Sequence, residues 1–331
     1  MNNHSEWDSP GAGAANSGLE LEGIVAALRR TRERWRDAQQ RPREVGAREL
    51  PSPEVLRGIV AGLRGALFPM RLGPADLRQE SEDYYVGHTL DSVLGTLLSQ
   101  VKLELLHLRR QAARGALPAE PHPRLLDEIA QQAQAIVRDF AHTLPRLREL
   151  LDSDVMAAFH GDPAALSVDE VLLCYPGIQA MIHHRLAHEL HRLGVPLLAR
   201  MVAELAHGET GIDIHPGATI GPGFFMDHGT GIVIGETARI GASVRLYQAV
   251  TLGAKRFELD EHGHLQKGGT RHPVVEDDVV VYAGATILGR VTIGRGSTIG
   301  GNVWLTHSVA AGSHITQART RDEGRPHADA A

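Results

Sequence analysis

From Asp213 to Val309 apolar residues recur every six positions: Ile214, Ile220 and Met226; then Ile234, Ile240, Leu246 and Leu252; then Val275, Val281, Ile287, Ile293, Ile299 and Leu305. A small or branched apolar residue often stands two places earlier (Ala218, Ala238, Val244, Val250, Ala285, Val291, Val303), and Gly often follows, as at Gly221, Gly235 and Gly241. This period suits neither an amphipathic helix nor an alternating strand. It predicts short strands joined by tight turns, three faces to a triangular coil of about 18 residues, stacked at about 4.8 Å. The aliphatic residues then form an inward ladder. The period breaks twice. Two extra residues enter at His228-Gly229-Thr230-Gly231, and a long loop leaves the coil between Leu252 and Val275. Repeat proteins carry insertions on their binding face, so the candidate site lies near these breaks.

Upstream the spacing turns helical. Leu19–Gln40 reads as a helix with Leu21, Ile24, Val25, Leu28 and Trp35 on one side; its arginines interleave with Glu22, Glu33 and Asp37 as on a solvated face. Ser52-Pro53 starts a second helix as N-cap and first residue, running to about Phe68. A third covers about Asp83 to Arg114 and a fourth Arg124–Leu151, with a bend expected at Pro145. Asp152–His160 reads as a separate short helix ended by Gly161, and Asp162 as a turn former or a site carboxylate. Ser167-Val168-Asp169-Glu170 is a capping box. Gly177–Leu193 carries His183, His184, His188 and His191; without an HExxH pattern these read as ordinary helical histidines. A last helix runs from Pro196 to His207. The expected plan is α+β: a disordered tail (1–18), an all-helical N-terminal domain (19–210), a β-helix (211–310) with a loop at 253–272, and a flexible tail (311–331).

A formal charge of −6 gives no argument for nucleic acid or an anionic membrane, and the one cysteine, Cys174, excludes an internal disulfide or a cysteine-rich metal site. The polar first residues and the lack of an apolar run of ~18 residues predict a cytoplasmic protein.

The chemistry concentrates in Met226–Ala238. Asp213 precedes His228 by 15 residues, close to one coil, which predicts a carboxylate beside an imidazole about one strand spacing away. Such a pair is a general base awaiting a hydroxyl; otherwise Asp213 caps a turn and His228 is a surface corner residue. Arg271-His272 closes the long loop and offers a fork and a donor suited to a carboxylate, or else a solvated loop cation. Asp162 and Asp227 could hold an ammonium. Together these groups would read an amino acid by both charged ends.

Asp213-Ile214-His215-Pro216, Met226–Ala238, Val250-Thr251-Leu252-Gly253, Arg271-His272-Pro273, Asp162-Pro163-Ala164 and Arg185…His188 resemble the serine O-acetyltransferases of the hexapeptide-repeat acyltransferase superfamily. The resemblance implies a left-handed parallel β-helix, against the usual crossover rule. It implies a homotrimer or a dimer of trimers with sites between neighbouring coils. It assigns His228 as general base with Asp213 as its partner, and Asp162, Asp227, Arg271 and His272 to L-serine. Backbone near Ala254, Ala283 and Gly301 would line the channel for acetyl-CoA, a co-substrate. No resident cofactor or metal is implied. The reaction gives O-acetyl-L-serine and CoA, the first step of cysteine biosynthesis. Ala254 stands where relatives commonly carry Gly, and Phe257–Gln266 lengthens the loop. Relatives that dock on O-acetylserine sulfhydrylase usually end in Ile; this chain ends in Ala331, which argues against that partner and the cysteine feedback tied to that tail. The alternatives are a hexapeptide acyltransferase for another hydroxyl, a hydratase of γ-carbonic anhydrase type using His207, His228 and His272 as metal ligands, and an inactive scaffold.

Overall fold

The computed structural model describes residues 21–39, 50–113, 122–256, 261, 263, 265 and 268–317. The predicted tails at 1–18 and beyond 317, and most of Phe257–Gln266, lie outside the described residues. Eight α-helices are described: α1 Leu21–Ala38, α2 Pro53–Leu67, α3 Pro69–Leu72, α4 Glu82–Ala112, α5 Pro123–Gly161, α6 Val168–Cys174, α7 Pro176–Arg192 and α8 Pro196–Thr210. One compact unit holds residues 21–39, 107–113 and 122–126; the remaining described residues form the other. α1 buries no residue. No described helix is long and apolar enough to cross a membrane.

In the larger unit, Leu56, Ile59, Val60 and Leu63 of α2, Leu97 and Val101 of α4, and Phe140, Leu147 and Leu151 of α5 are buried at helical spacing. The break expected near Leu151 is absent: α5 runs from Pro123 through Pro145 to Gly161 as one helix. The Asp152–His160 helix is its last part. Continuity there is favoured because Asp154 faces inward, fully buried, and bonds Arg185 of α7 rather than starting a new helix. Ser52 caps α2 without a side-chain bond; its N–H instead donates to Gln100 Oε1 at 2.9 Å. At α8 the buried Glu104 accepts N–H bonds from Leu197 and Leu198 at 2.7 and 2.8 Å, a carboxylate on a helix N-terminus. Half of the capping box forms, with Glu170 N–H on Ser167 Oγ at 3.0 Å, while the Glu170 carboxylate accepts the N–H of Leu166, one residue before the cap, at 2.7 Å. α8 continues past His207 to Thr210 and stops at Gly211, whose φ of 70° is a left-handed cap.

Among the described residues fourteen short strands follow, all paired in parallel: β1 Asp213–Ile214, β2 Thr219–Ile220, β3 Phe225–Asp227, β4 Val233–Ile234, β5 Arg239–Ile240, β6 Arg245–Tyr247, β7 Thr251–Gly253, β8 Val274–Val275, β9 Val280–Val281, β10 Thr286–Leu288, β11 Thr292–Ile293, β12 Thr298–Ile299, β13 Trp304–Leu305 and β14 His314–Ile315. They stack into three sheets, ordered β1-β4-β7-β10-β13, β2-β5-β8-β11 and β3-β6-β9-β12-β14. The predicted ladder is the core: Ile214, Ile234, Leu252, Ile287 and Leu305 align in the first sheet, Ile220, Ile240, Val275 and Ile293 in the second, and Met226, Leu246, Val281 and Ile299 in the third. All thirteen are buried. Ile315 adds a rung by pairing with Ile299, within the stretch read as a tail.

Candidate active site

The third sheet passes to the first at a corner that begins with Asp227. Gly229 N–H bonds the Asp227 carbonyl at 2.7 Å, closing a three-residue turn centred on His228. His228 there has φ 60°, strained backbone for a residue with a Cβ, and such strain collects at functional sites. The ring is thrown outward, its side chain 72% exposed, with Nε2 3.8 Å from Asp227 Oδ1. Gly229 fills the turn because a Cβ would lie 2.5 Å from Ile212 Cδ1.

Asp213 lies at the same corner, one coil earlier, since Gly231 N–H bonds Gly211 O and Asp213 N–H bonds Ile232 O. Its register partner is Val233, twenty residues on, because the inserted pair lengthens this coil. The simple 18-residue stacking of Asp213 on His228 is corrected accordingly. The Asp213 carboxylate is 4.0 Å from Arg200 and clusters with Glu204 and His207 of α8; no described contact joins it to His228.

Asp162 reaches this region from the end of α5. Gly161 packs so tightly that a Cβ would meet the Phe225 ring at 2.9 Å. Asp162 accepts the Tyr175 hydroxyl at 2.5 Å and the Ala164 N–H at 2.8 Å. The Tyr175 bond, then the Ala164 N–H, holds the Asp162 carboxyl below the usual range. The same Tyr175–Asp162 bond, then burial, pushes the Tyr175 phenol up to about 12. The turn-former and site readings of Asp162 are therefore compatible. Arg245, one coil below Phe225, donates to Asp227 Oδ2.

Arg271 and His272 occupy a different corner, where the first sheet passes to the second. Arg271 donates to Glu236 Oε2 at 2.6 Å. Burial pushes the Glu236 carboxyl up, but the Arg271 hydrogen bond and charge outweigh it and leave it below its usual value. Thr237 orients the pair: its Oγ accepts the Arg271 and His272 N–H groups at 2.9 and 3.2 Å. Its own N–H donates to His272 Nδ1 at 3.1 Å, which fixes the tautomer with the proton on Nε2. Burial, then the Arg271 charge, pushes the His272 imidazole down to about 4, so it is a neutral donor at pH 7. The ring lies against Gly235, where a Cβ would come within 2.1 Å of Nε2. Gly235→Ala is therefore expected to displace His272 and lower kcat/KM about 10²-fold with the circular dichroism unchanged; wild-type kinetics would contradict this placement.

Ala254 follows β7 at this second corner. Ala283 and Gly301 lie at the His228 corner, two and three coils further along, and Asn302 N–H bonds Ala283 O at 2.8 Å. One chain thus carries two half-sites: Asp213, Asp227 and His228 with Ala283 and Gly301 on one corner and Asp162 close by, and Ala254, Arg271 and His272 on the other. His207, His228 and His272 do not converge in one chain. His184 is buried on α7, and His188 Nδ1 meets Pro216 O at 2.8 Å. Glu236 and Thr237 stood inside the densest motif of the sequence but had no assigned role. Tyr175 and Arg245 gave no signal, because the turn after α5 and the junction of α6 with α7 bring Tyr175 to Asp162, and coil stacking brings Arg245 to Asp227.

A coil of stacked hexads with polar corners is the frame of a hexapeptide-repeat transferase, and the bacterial transferase hexapeptide (six repeats) model matches residues 272–307. The plasmid serine acetyltransferase of Synechococcus elongatus is 58% identical over 275 residues, 83% of this chain and 84% of that protein. The serine acetyltransferase of Bacillus subtilis is 44% identical over 48% of this chain and 70% of its own. Serine acetyltransferase 1 of Entamoeba histolytica, solved with L-cysteine, superposes with a TM-score of 0.64 at 33% identity, over 78% of this chain and 86% of that one. Isoform 3 from the same organism, solved with cysteine, gives 0.63 at 31% over 83% of each chain. The chain belongs to the serine acetyltransferase family. Its fold is a helical N-terminal region followed by a left-handed β-helix of hexapeptide repeats.

Proposed function

We propose that this chain transfers the acetyl group of acetyl-CoA to the hydroxyl of L-serine, giving O-acetyl-L-serine and CoA, the first step of cysteine biosynthesis. The observation that carries the reading is the pair of half-sites, one acidic with an outward histidine and one presenting the Arg271 guanidinium, paired with Glu236, beside the His272 donor. They suit the two charged ends of an amino acid and a hydroxyl between them. Arg271 and neutral His272 would bind the carboxylate, by fork and by Nε2–H. Asp162 and Asp227 would hold the ammonium. His228 takes the hydroxyl proton as the oxygen attacks the thioester carbonyl, and returns a proton to the departing thiolate. Asp213 would turn from Arg200 to steady the imidazolium. No acyl-enzyme is needed.

Because the half-sites stand on different corners, a complete site would require a second copy, whose Arg271 corner meets this chain's His228 corner. A homotrimer, alone or paired into a hexamer, satisfies this geometry for every site at once. The acetyl-CoA arm would run along the His228 corner past Ala283 and Gly301, roughly 10 and 14 Å down the stack, facing Ala254 of the neighbour. Cysteine shares serine's charged ends and would occupy the same recognition groups, as the Entamoeba relatives solved with it suggest.

The test is CoA release from acetyl-CoA with L-serine against homoserine, threonine, sugars and no acceptor. Serine-dependent release is expected, falling about 10²–10⁴-fold in His228→Ala. Release with another acceptor only would overturn the substrate, and unchanged turnover in His228→Ala would remove the base.

A further inference from the structure

Both carboxylates of the ammonium half-site are already engaged by protein donors, and one donor is a cation. β3 and β6 are stacked so that Phe225 lies over Arg245 and Asp227 over Tyr247. The Arg245 guanidinium reaches Asp227 Oδ2 and is held between two rings, 4.9 Å from the Phe225 centroid and 4.7 Å from that of Tyr247. Tyr247 is itself stacked on Tyr282 at 4.9 Å and 9°. Arg245 Nε is buried with no hydrogen-bond partner. The side chain is therefore fixed by packing rather than by a set of hydrogen bonds, and its charge is directed onto Asp227.

Resting on the serine reading above, we infer that Arg245 is the residue that sets charge selectivity in the ammonium half-site, by positioning Asp227 and cancelling one of its two carboxylates. Asp162, Asp227 and Arg245 together carry two negative charges and one positive. The half-site presents one net negative charge, which matches an acceptor with one ammonium. With Arg245 removed, two uncompensated carboxylates would face the ligand, and a ligand with two ammonium groups would become the better match. Arg245 touches neither the reacting hydroxyl nor the thioester, so it is a positioning residue. Tyr175 plays the corresponding part for Asp162 as a neutral donor, which leaves that carboxylate's charge intact.

The probe is L-2,4-diaminobutanoate, which carries a second ammonium at neutral pH, measured as a competitor of serine in the CoA-release assay. In Arg245→Met the ratio of its inhibition constant to the serine KM is expected to fall about tenfold or more relative to wild type, and Arg245→Lys, which keeps the charge, to restore the ratio to within about threefold. If Met changes both constants by the same factor, Arg245 is structural only and the inference fails. If Met shifts the ratio but Lys does not restore it, the discrimination is not one of charge and the inference also fails. A wild-type chain with no serine-dependent CoA release removes the serine reading and this inference together; serine turnover with an unmoved ratio removes the inference alone.

Discussion

Chains carrying His228→Ala and chains carrying Arg271→Ala, each inactive alone, are expected to regain about one quarter of wild-type turnover when unfolded together in equal amounts and reassembled. The expectation follows from where the two residues sit. His228 stands where the third sheet passes to the first, and Arg271 where the first passes to the second. In the proposed ring each site would take its histidine from one copy and its arginine from the next. Half the copies supply an intact histidine and half an intact arginine, so about one site in four is whole. Differently tagged copies that copurify establish that mixing occurred. A co-assembled mixture no more active than its parts would show that both residues serve one chain's own site, and the two-corner reading would fall.

Arg185→Met is expected to destabilise the fold by about 3–5 kcal/mol, the range for removing one partner of a buried ion pair. Asp154 is 0% exposed and Arg185 is 4% exposed, with paired bonds of 2.8 and 2.9 Å. Arg185 also donates to the carbonyls of Ile220 and Gly221 at 3.0 and 2.8 Å, and Asp154 accepts the Phe224 N–H at 2.9 Å. These bonds pin α5 and α7 to the turn between the second and third faces of the first coil. Removing the cation leaves a buried carboxylate uncompensated. The double variant Asp154→Leu with Arg185→Met should recover part of the loss, because no lone charge remains. Denaturant melts of the variants decide this: a loss below about 1 kcal/mol in Arg185→Met would place the pair among the weak surface bridges instead.

The ladder was legible because each rung repeats one local rule, an aliphatic residue every six positions, and burial enforces it at all thirteen. Ile315 escaped that rule because the interval after Leu305 departs from six. The continuity of α5 past Leu151 is not written in the local sequence, because the inward face of Asp154 depends on Arg185, thirty-one residues away. The chemical residues themselves stood out by type and motif, but their partition between corners did not. Spacing places residues along the chain; the corner each occupies follows only when the insertions are assigned to their turns. Tyr175 and Arg245 illustrate the remaining limit, since their roles are defined by neighbours across coils and helices.

The two insertions, at His228–Gly231 and between Leu252 and Val275, have a consequence for how such a chain can change. Each is absorbed in one corner: Ile214, Ile234, Leu252 and Ile287 stay in line although the intervals between them differ. Residues added at a corner therefore leave the inward rungs undisturbed. Substrate-facing loops can lengthen, shorten or swap side chains while the mutations that unfold the molecule fall on the ladder, the helical core and the Asp154–Arg185 clamp. The architecture keeps the search for new acceptors and the maintenance of the fold on separate sets of positions.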